Sequence, residues 1–149
     1  MKRIAIDPSK CDGCKNCALA CMDSHRTDGK EGVITLNFQL PETEARNEIE
    51  NDGKGGYLPM FCRHCSVPAC ANSCMSGALK KDMETGHVMY DEKRCGACFM
   101  CVMNCPYGIP KPDRSGTKIL KCDFCNERPE GPACVAACPK QAIWVEEVQ

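Results

Sequence analysis

Short apolar runs broken by polar turns dominate the chain, and no stretch keeps a helical or strand period for long. Three segments, Ala18-Leu19-Ala20, Val102-Met103-Asn104 and Val135-Ala136-Ala137, are small or apolar at helical spacing, which predicts one or two helical turns at each. Alternating or apolar runs bounded by turn residues predict short strands at Arg3 to Asp7, Val33 to Gln39, Ala78 to Lys80, Val88 to Asp91, Lys118 to Leu120 and Ala142 to Val145. The third and fourth of these pair across the Glu84-Thr85-Gly86 turn. Short helices mixed with short strands predict an α+β fold.

Such elements bury little hydrocarbon, and composition shows what replaces it. Cysteine occupies 16 of 149 positions while aromatics are only 5%, so disulfides or metal must hold the chain together. The segment from Met1 to Cys11 turns polar at Asp7, too soon for a secretory leader. No twin-arginine pair opens the chain, and no apolar run nears the roughly 20 residues that cross a bilayer. A cytoplasmic location with no membrane span is expected, and in that reducing setting dense cysteine binds metal rather than forming disulfides. Length and the lack of a linker predict one domain over 1–149, with an insertion at 22–61.

The cysteines fall into four groups: Cys11, Cys14, Cys17, Cys21; Cys62, Cys65, Cys70, Cys74; Cys95, Cys98, Cys101, Cys105; and Cys122, Cys125, Cys134, Cys138. The first and third read C-x2-C-x2-C-x3-C; the second and fourth widen the middle gap. Ile4-Ala5-Ile6-Asp7 before Cys11 matches Val88-Met89-Tyr90-Asp91 before Cys95, which indicates internal duplication. C-x2-C-x2-C wraps three thiolates around one cubane, while the fourth cysteine, at x3 on the next helical turn, serves a neighbouring cluster. Four complete sets predict four [4Fe-4S] clusters. Zinc also takes four thiolates, in a zinc-stabilised interaction module, but prefers paired C-x2-C knuckles across a longer loop.

The Cys105-Pro106 and Cys138-Pro139 endings are those of bacterial ferredoxins, whereas Cys21-Met22 and Cys74-Met75 lack the proline. The array resembles the four-cluster ferredoxin-like subunits of molybdopterin oxidoreductase, formate dehydrogenase and hydrogenase complexes. The stretch Gly56 to Cys65, Cys74-Met75-Ser76-Gly77-Ala78 and Cys98 to Met103 resemble the iron–sulfur partner protein of nickel carbon monoxide dehydrogenase. The resemblance implies two interleaved bacterial-ferredoxin-like halves. It further implies one cluster on Cys11, Cys14, Cys17 and Cys138, a second on Cys122, Cys125, Cys134 and Cys21, a third on Cys62, Cys65, Cys70 and Cys105, and a fourth on Cys95, Cys98, Cys101 and Cys74. Electrons would pass from carbon monoxide dehydrogenase to a flavin NAD(P) oxidoreductase or a hydrogenase. Full thiolate ligation leaves no iron for a substrate, so a non-catalytic electron carrier is expected.

In the insertion, the 33–38 alternation and the acidic stretch from Pro41 to Asp52 fit a β-hairpin with a polar tip, and Gly53-Lys54-Gly55-Gly56 reads as a turn. His64, inside a ligand loop, is expected to pack against or tune a cluster rather than ligate it; His25 and His87 are expected to be exposed, and Trp144 to be packing. Met22, Met75, Met100 and Met103 are expected to line the cubanes. The formal charge is −1, and four oxidised clusters of about −2 each would bring it to roughly −9. Lys10, Lys15, Arg63, Lys93, Arg94 and Lys121 offset this near the motifs. Nucleic acid is excluded as a partner, since no basic surface run is present.

Overall fold

The computed structural model describes residues 1–40 and 43–149. In chain order its elements are β1 (Lys2–Ile6), α1 (Asn16–Ser24), β2 (Glu48–Asn51), β3 (Tyr57–Met60), α2 (Ala69–Asn72), β4 (Leu79–Lys81), β5 (Val88–Tyr90), α3 (Met100–Asn104), β6 (Lys111–Pro112), β7 (Ile119–Leu120), α4 (Ala133–Ala136) and β8 (Ile143–Glu147). The strands form four separate antiparallel pairs, β1 with β8, β2 with β3, β4 with β5 and β6 with β7. The result is a small α+β fold.

The duplication seen in the sequence reappears as a shared local structure. Asp7 accepts the Ser9 N–H at 3.1 Å and opens a 3-10 turn at Pro8–Lys10; Asp91 does the same for Lys93 at 3.0 Å, opening Glu92–Arg94. Each turn delivers the chain to the first cysteine of its motif, and a carboxylate at such a cap satisfies an amide that the turn leaves free. The Asp7 N–H donates to Ala142 and the Asp91 N–H to Ala78, both at 2.8 Å. β1 is thereby tied to β8, and β5 to β4. In the first pair Ile4 faces Val145 and Ile6 faces Ile143, so the two termini are joined. Helix α1 packs on α4, and α2 on α3.

Hydrocarbon gathers in two small clusters, and thiols belong to both. One joins Ile4, Ile49, Phe61, Phe124, Ile143 and Cys134; the other joins Leu79, Val88, Ile119 and Cys101. The apolar positions at the helical x3 segments and along the strands are thus used to hold cysteine, which behaves as a small apolar group when buried.

The insertion departs from expectation. Val33–Thr35 is a 3-10 turn and not a strand, and the Ile34 side chain is fully exposed. Arg26 explains this, because its guanidinium donates to the carbonyls of Gly32 (3.2 Å) and Thr35 (2.9 Å) and to the Thr35 hydroxyl (2.7 Å). Those carbonyls are the ones a strand ladder would need. A hairpin does form, from β2 and β3, with Ile49 opposite Pro59 and Glu50 opposite Leu58. Its turn is the Gly-rich segment, closed by Asp52 Oδ1, which accepts the Lys54 and Gly56 N–H groups at 2.7 and 2.8 Å. Of the acidic stretch, Pro41 and Glu42 lie outside the described residues.

Candidate iron–sulfur site

All four motifs begin with the same backbone device. The residue before the second cysteine, Gly13, His64, Ala97 or Phe124, has a positive φ of 72, 45, 51 and 62° respectively. For the three that are not glycine this conformation costs about 1–2 kcal/mol each. Strain of that kind survives where the surrounding structure requires it, and here it recurs at the same place in each C-x2-C loop. Only at Gly13 is a side chain sterically barred, since a Cβ there would lie 2.4 Å from the Tyr57 ring.

The thiols converge in sets drawn from different motifs. Cys11, Cys14, Cys17 and Cys138 line one small cavity, walled by Ile49, Ala142 and Ile143. Cys74, Cys95, Cys98 and Cys101 line a second, walled by Leu79, Tyr90 and Ile119. Cys134 is buried, which raises its thiol pKa, and Cys122, Cys21 and Cys125 raise it further. Burial pushes Cys70 up to about 11, with Cys62 and Cys105 adding to the shift. Cys65 joins that last group through Lys81, whose ammonium feels both Cys65 and Cys62. All sixteen cysteines are free of disulfides.

This donor set is purely sulfur, and soft thiolates in fours suit zinc or an iron–sulfur cluster. Metal-free thiols packed this closely resist ionisation: burial and then the neighbouring thiols hold Cys17 at about 11, and burial foremost holds Cys122 at about 12. A positively charged core bound between them removes that penalty. Backbone amides already point at several sulfurs, from Arg46 to Cys21 (3.3 Å), Phe124 to Cys122 (3.4 Å) and Ala142 to Cys138 (3.3 Å). A further fit comes from His64 Nε2, which is buried and has no hydrogen-bond partner among the described residues. The residues fit a [4Fe-4S] group.

Between the Cys62 and Cys122 loops lies a buried polar centre that the sequence only partly announced. Lys121 is 2% exposed and donates to the carbonyls of Val88 and Cys122, each at 2.7 Å. Lys81, which the motif pattern did not single out, donates to the carbonyls of His64 (2.9 Å), Cys65 (2.8 Å) and Gly86. His64 accepts the Val88 N–H on Nδ1 at 2.9 Å. Burial foremost, then Lys121, holds the His64 imidazole down at about 2, so it is neutral. Of the other cations expected near the motifs, Lys10 pairs with Asp7 at 3.5 Å, Arg63 stacks on Tyr107 at 4.4 Å, and Lys15, Lys93 and Arg94 are exposed.

Several expected placements are corrected. His87 is buried, with its ring nitrogens 3.1 Å from both Asn126 Oδ1 and the Lys2 carbonyl. His25 is half-buried against Asp123 (3.0 Å) and the Cys21 carbonyl (2.8 Å). Despite the opposing effect of burial, Asp123 and Cys21 raise it to about 10. Asp123, Asn126 and Lys2 lie far from these histidines in sequence, so local polarity misled. Met75 and Met103 stand in solvent at 87% and 79% exposure and line nothing. Trp144 is 41% exposed on β8, where it borders a surface groove with Arg3 and Arg63. Among the described residues, His25, Asp123 and Cys125 form one mixed group that could hold a metal ion. Its carboxylate is already engaged by His25 and by Arg46 at 2.8 Å.

Comparisons with known proteins agree with this chemistry. A 4Fe-4S dicluster domain model matches residues 54–148. The electron transport protein HydN of Escherichia coli (strain K12) is 36% identical over 94% of this chain and 85% of its own length. One component of the anaerobic dimethyl sulfoxide reductase of the same organism is 38% identical, covering 93% of this chain and 69% of its own length. The NADH-dependent phenylglyoxylate dehydrogenase subunit beta of Aromatoleum evansii is 34% identical over 94% of this chain, which spans 29% of that subunit. Among solved structures, the as-isolated active site complex BamBC of benzoyl coenzyme A reductase superposes with a TM-score of 0.52 at 22% identity. That match covers 98% of this chain and 76% of the other, and shows a shared fold.

Proposed function

The protein belongs to the 4Fe-4S dicluster domain family, as an iron–sulfur electron-transfer subunit, and on that premise we propose that its sixteen cysteines hold four [4Fe-4S] clusters that relay single electrons. The observation that carries the count is the sorting of the thiols into sets of four with none left over. The sets proposed are Cys11, Cys14, Cys17, Cys138; Cys122, Cys125, Cys134, Cys21; Cys62, Cys65, Cys70, Cys105; and Cys95, Cys98, Cys101, Cys74. Each pairs three cysteines of one motif with the fourth of another, which makes two interleaved ferredoxin-like halves. The pairing of α1 with α4 and of α2 with α3 supports that division.

The sets follow one another in a line. Cys134 of the second feels Cys17 of the first. Cys122 of the second feels Cys62 of the third, and the short helix α2 carries Cys70 of the third, with Cys74 of the fourth just beyond its end. Cys14 and Cys98, in the two outer sets, are the two exposed cysteines. Electrons therefore enter and leave at opposite ends of the series. With every iron held by four sulfurs, a bound cluster supplies outer-sphere electron transfer, and no corner is open to a substrate.

The catalytic partner we propose first is carbon monoxide dehydrogenase, on the segments around Cys62, Cys74 and Cys98, with a flavin NAD(P) oxidoreductase or hydrogenase as acceptor. Two of the relatives named above are components of a dimethyl sulfoxide reductase and of a phenylglyoxylate dehydrogenase, which keeps open as second reading an electron-transfer subunit of another redox complex, a formate dehydrogenase or hydrogenase. No helix among the described residues is long and apolar enough to cross a membrane, and a cytoplasmic site of action is proposed. Anaerobic purification tests the core of the reading. About sixteen iron and sixteen sulfide per polypeptide are expected, and fewer than about twelve iron, or zinc in its place, refutes it. Capture of a partner without a redox centre refutes the relay.

A further inference from the structure

The four residues at the strained position of the C-x2-C loops divide into two kinds. In the outer sets they are small, Gly13 and Ala97; in the inner sets they are His64 and Phe124. These two rings meet edge to face, with centroids 5.9 Å apart and planes at 85°. His87 completes the group, 4.7 Å from His64 and 4.3 Å from Phe124. Three packed rings thus lie beside the inner sets, whereas the outer sets keep an exposed cysteine.

Within that ring group one buried hydrogen-bonding atom is unaccounted for. The Val88 N–H donates to His64 Nδ1, so Nδ1 carries no proton, and in a neutral imidazole the proton sits on Nε2. His64 is 1% exposed, and its Nε2 has no partner among the described residues. A buried N–H without an acceptor is destabilising and rare in native proteins. The loop that carries it runs between two sulfur ligands, Cys62 and Cys65, and the rings behind it abut the Cys122 loop. The acceptors this environment supplies are the sulfurs of an inner cluster.

We propose that His64 Nε2–H donates a hydrogen bond to a sulfur of an inner [4Fe-4S] cluster and so raises that cluster's potential above the value it would have without the donor. The inference rests on the four-cluster reading above. Donation to sulfur stabilises the reduced cluster, which carries one more electron, and hydrogen bonds to sulfur are among the factors that set cluster potentials. Gly13 and Ala97 have no such side-chain donor, so the same loop geometry yields an outer cluster without this shift. His64 acts here as a positioning and tuning residue, with its tautomer fixed by Val88.

The test uses the full chain, reconstituted or purified anaerobically with its clusters. In His64→Leu, a redox titration followed by electron paramagnetic resonance should show one of the four couples harder to reduce by about tenfold, or about 59 mV for one electron. His64→Gln, which keeps an N–H donor, should restore most of the shift. In protein labelled with 15N histidine, the reduced cluster should show a hyperfine coupling to one nitrogen that disappears in both variants. Unchanged potentials in His64→Leu at full iron content, or no histidine coupling in the parent protein, overturn the proposal. A shortfall of iron in the parent protein refutes the four-cluster reading instead, so the two failures are distinguishable.

Discussion

Replacing Gly13 with alanine isolates the cost of the loop conformation. Gly13 sits at φ +72°, and an added Cβ would lie 2.4, 2.5 and 2.6 Å from three atoms of the Tyr57 ring. Alanine in this region costs about 1–2 kcal/mol in backbone terms alone. To reach a tolerable contact near 3.4 Å, the Tyr57 ring must retreat by roughly 1 Å, and overpacking of this sort costs about 1–3 kcal/mol. Tyr57 packs against the Ile4, Ile49 and Phe61 cluster, so its retreat also loosens the wall of the first thiol cavity. The total is about 2–5 kcal/mol. Loss of cofactor makes equilibrium unfolding ill-defined in such a protein, so the measurement is the rate at which visible cluster absorbance bleaches under an iron chelator. If local opening limits bleaching, Gly13→Ala accelerates the loss of part of the absorbance, one quarter on the four-cluster proposal, by at least about tenfold. In a Tyr57→Ala background the same substitution should retain the backbone part and lose the overpacking part. Equal bleaching of Gly13→Ala and parent, or an effect of the same size with and without the ring, refutes the steric argument.

Lys121→Met should destabilise the holoprotein by about 2 kcal/mol or more, because it leaves the Val88 and Cys122 carbonyls without their buried donor; the chelator assay measures it, and parent-like bleaching refutes it. Removing iron from the whole chain should abolish its ordered fold, seen as loss of circular dichroism, since two small apolar clusters cannot hold it alone. Arg26→Ala should release the 31–36 segment, detected as faster amide exchange at Thr35 and Leu36 and as earlier proteolysis there, with cluster content unchanged. Protection equal to the parent in that segment would show that Arg26 does not hold it.

What the sequence made legible was whatever depended on local spacing. The cysteine intervals gave the thiol groups, the small residues between the third and fourth cysteines gave α1, α3 and α4, and the repeated Ile/Val runs ending in aspartate gave β1 and β5. What escaped depended on distant partners. Val33 to Phe38 alternates as a strand does, yet Arg26 takes the Thr35 carbonyl within it and the Gly32 carbonyl just before it. Glu48–Asn51 is poor in strand-favouring residues, yet it pairs because β3 offers an edge and Ile49 has a core to enter. His25 and His87 read as turn residues until Asp123, Asn126 and the Lys2 carbonyl reach them. The αL residue shared by the four loops carried little signal beyond Gly13, because alanine and phenylalanine seldom adopt that conformation and histidine, though enriched there, adopts it in only a minority of cases.

The antiparallel join between the first and last strands has a consequence for biogenesis. Cys138 closes the cavity begun by Cys11, Cys14 and Cys17, so a nascent chain emerging from the ribosome holds three mercaptans whose fourth companion has yet to be translated. The cavity of Cys74, Cys95, Cys98 and Cys101, by contrast, is complete well before synthesis ends. On the four-cluster proposal, the middle of the polypeptide is the first part able to take up metal, and the cavity that joins its two end strands is the last.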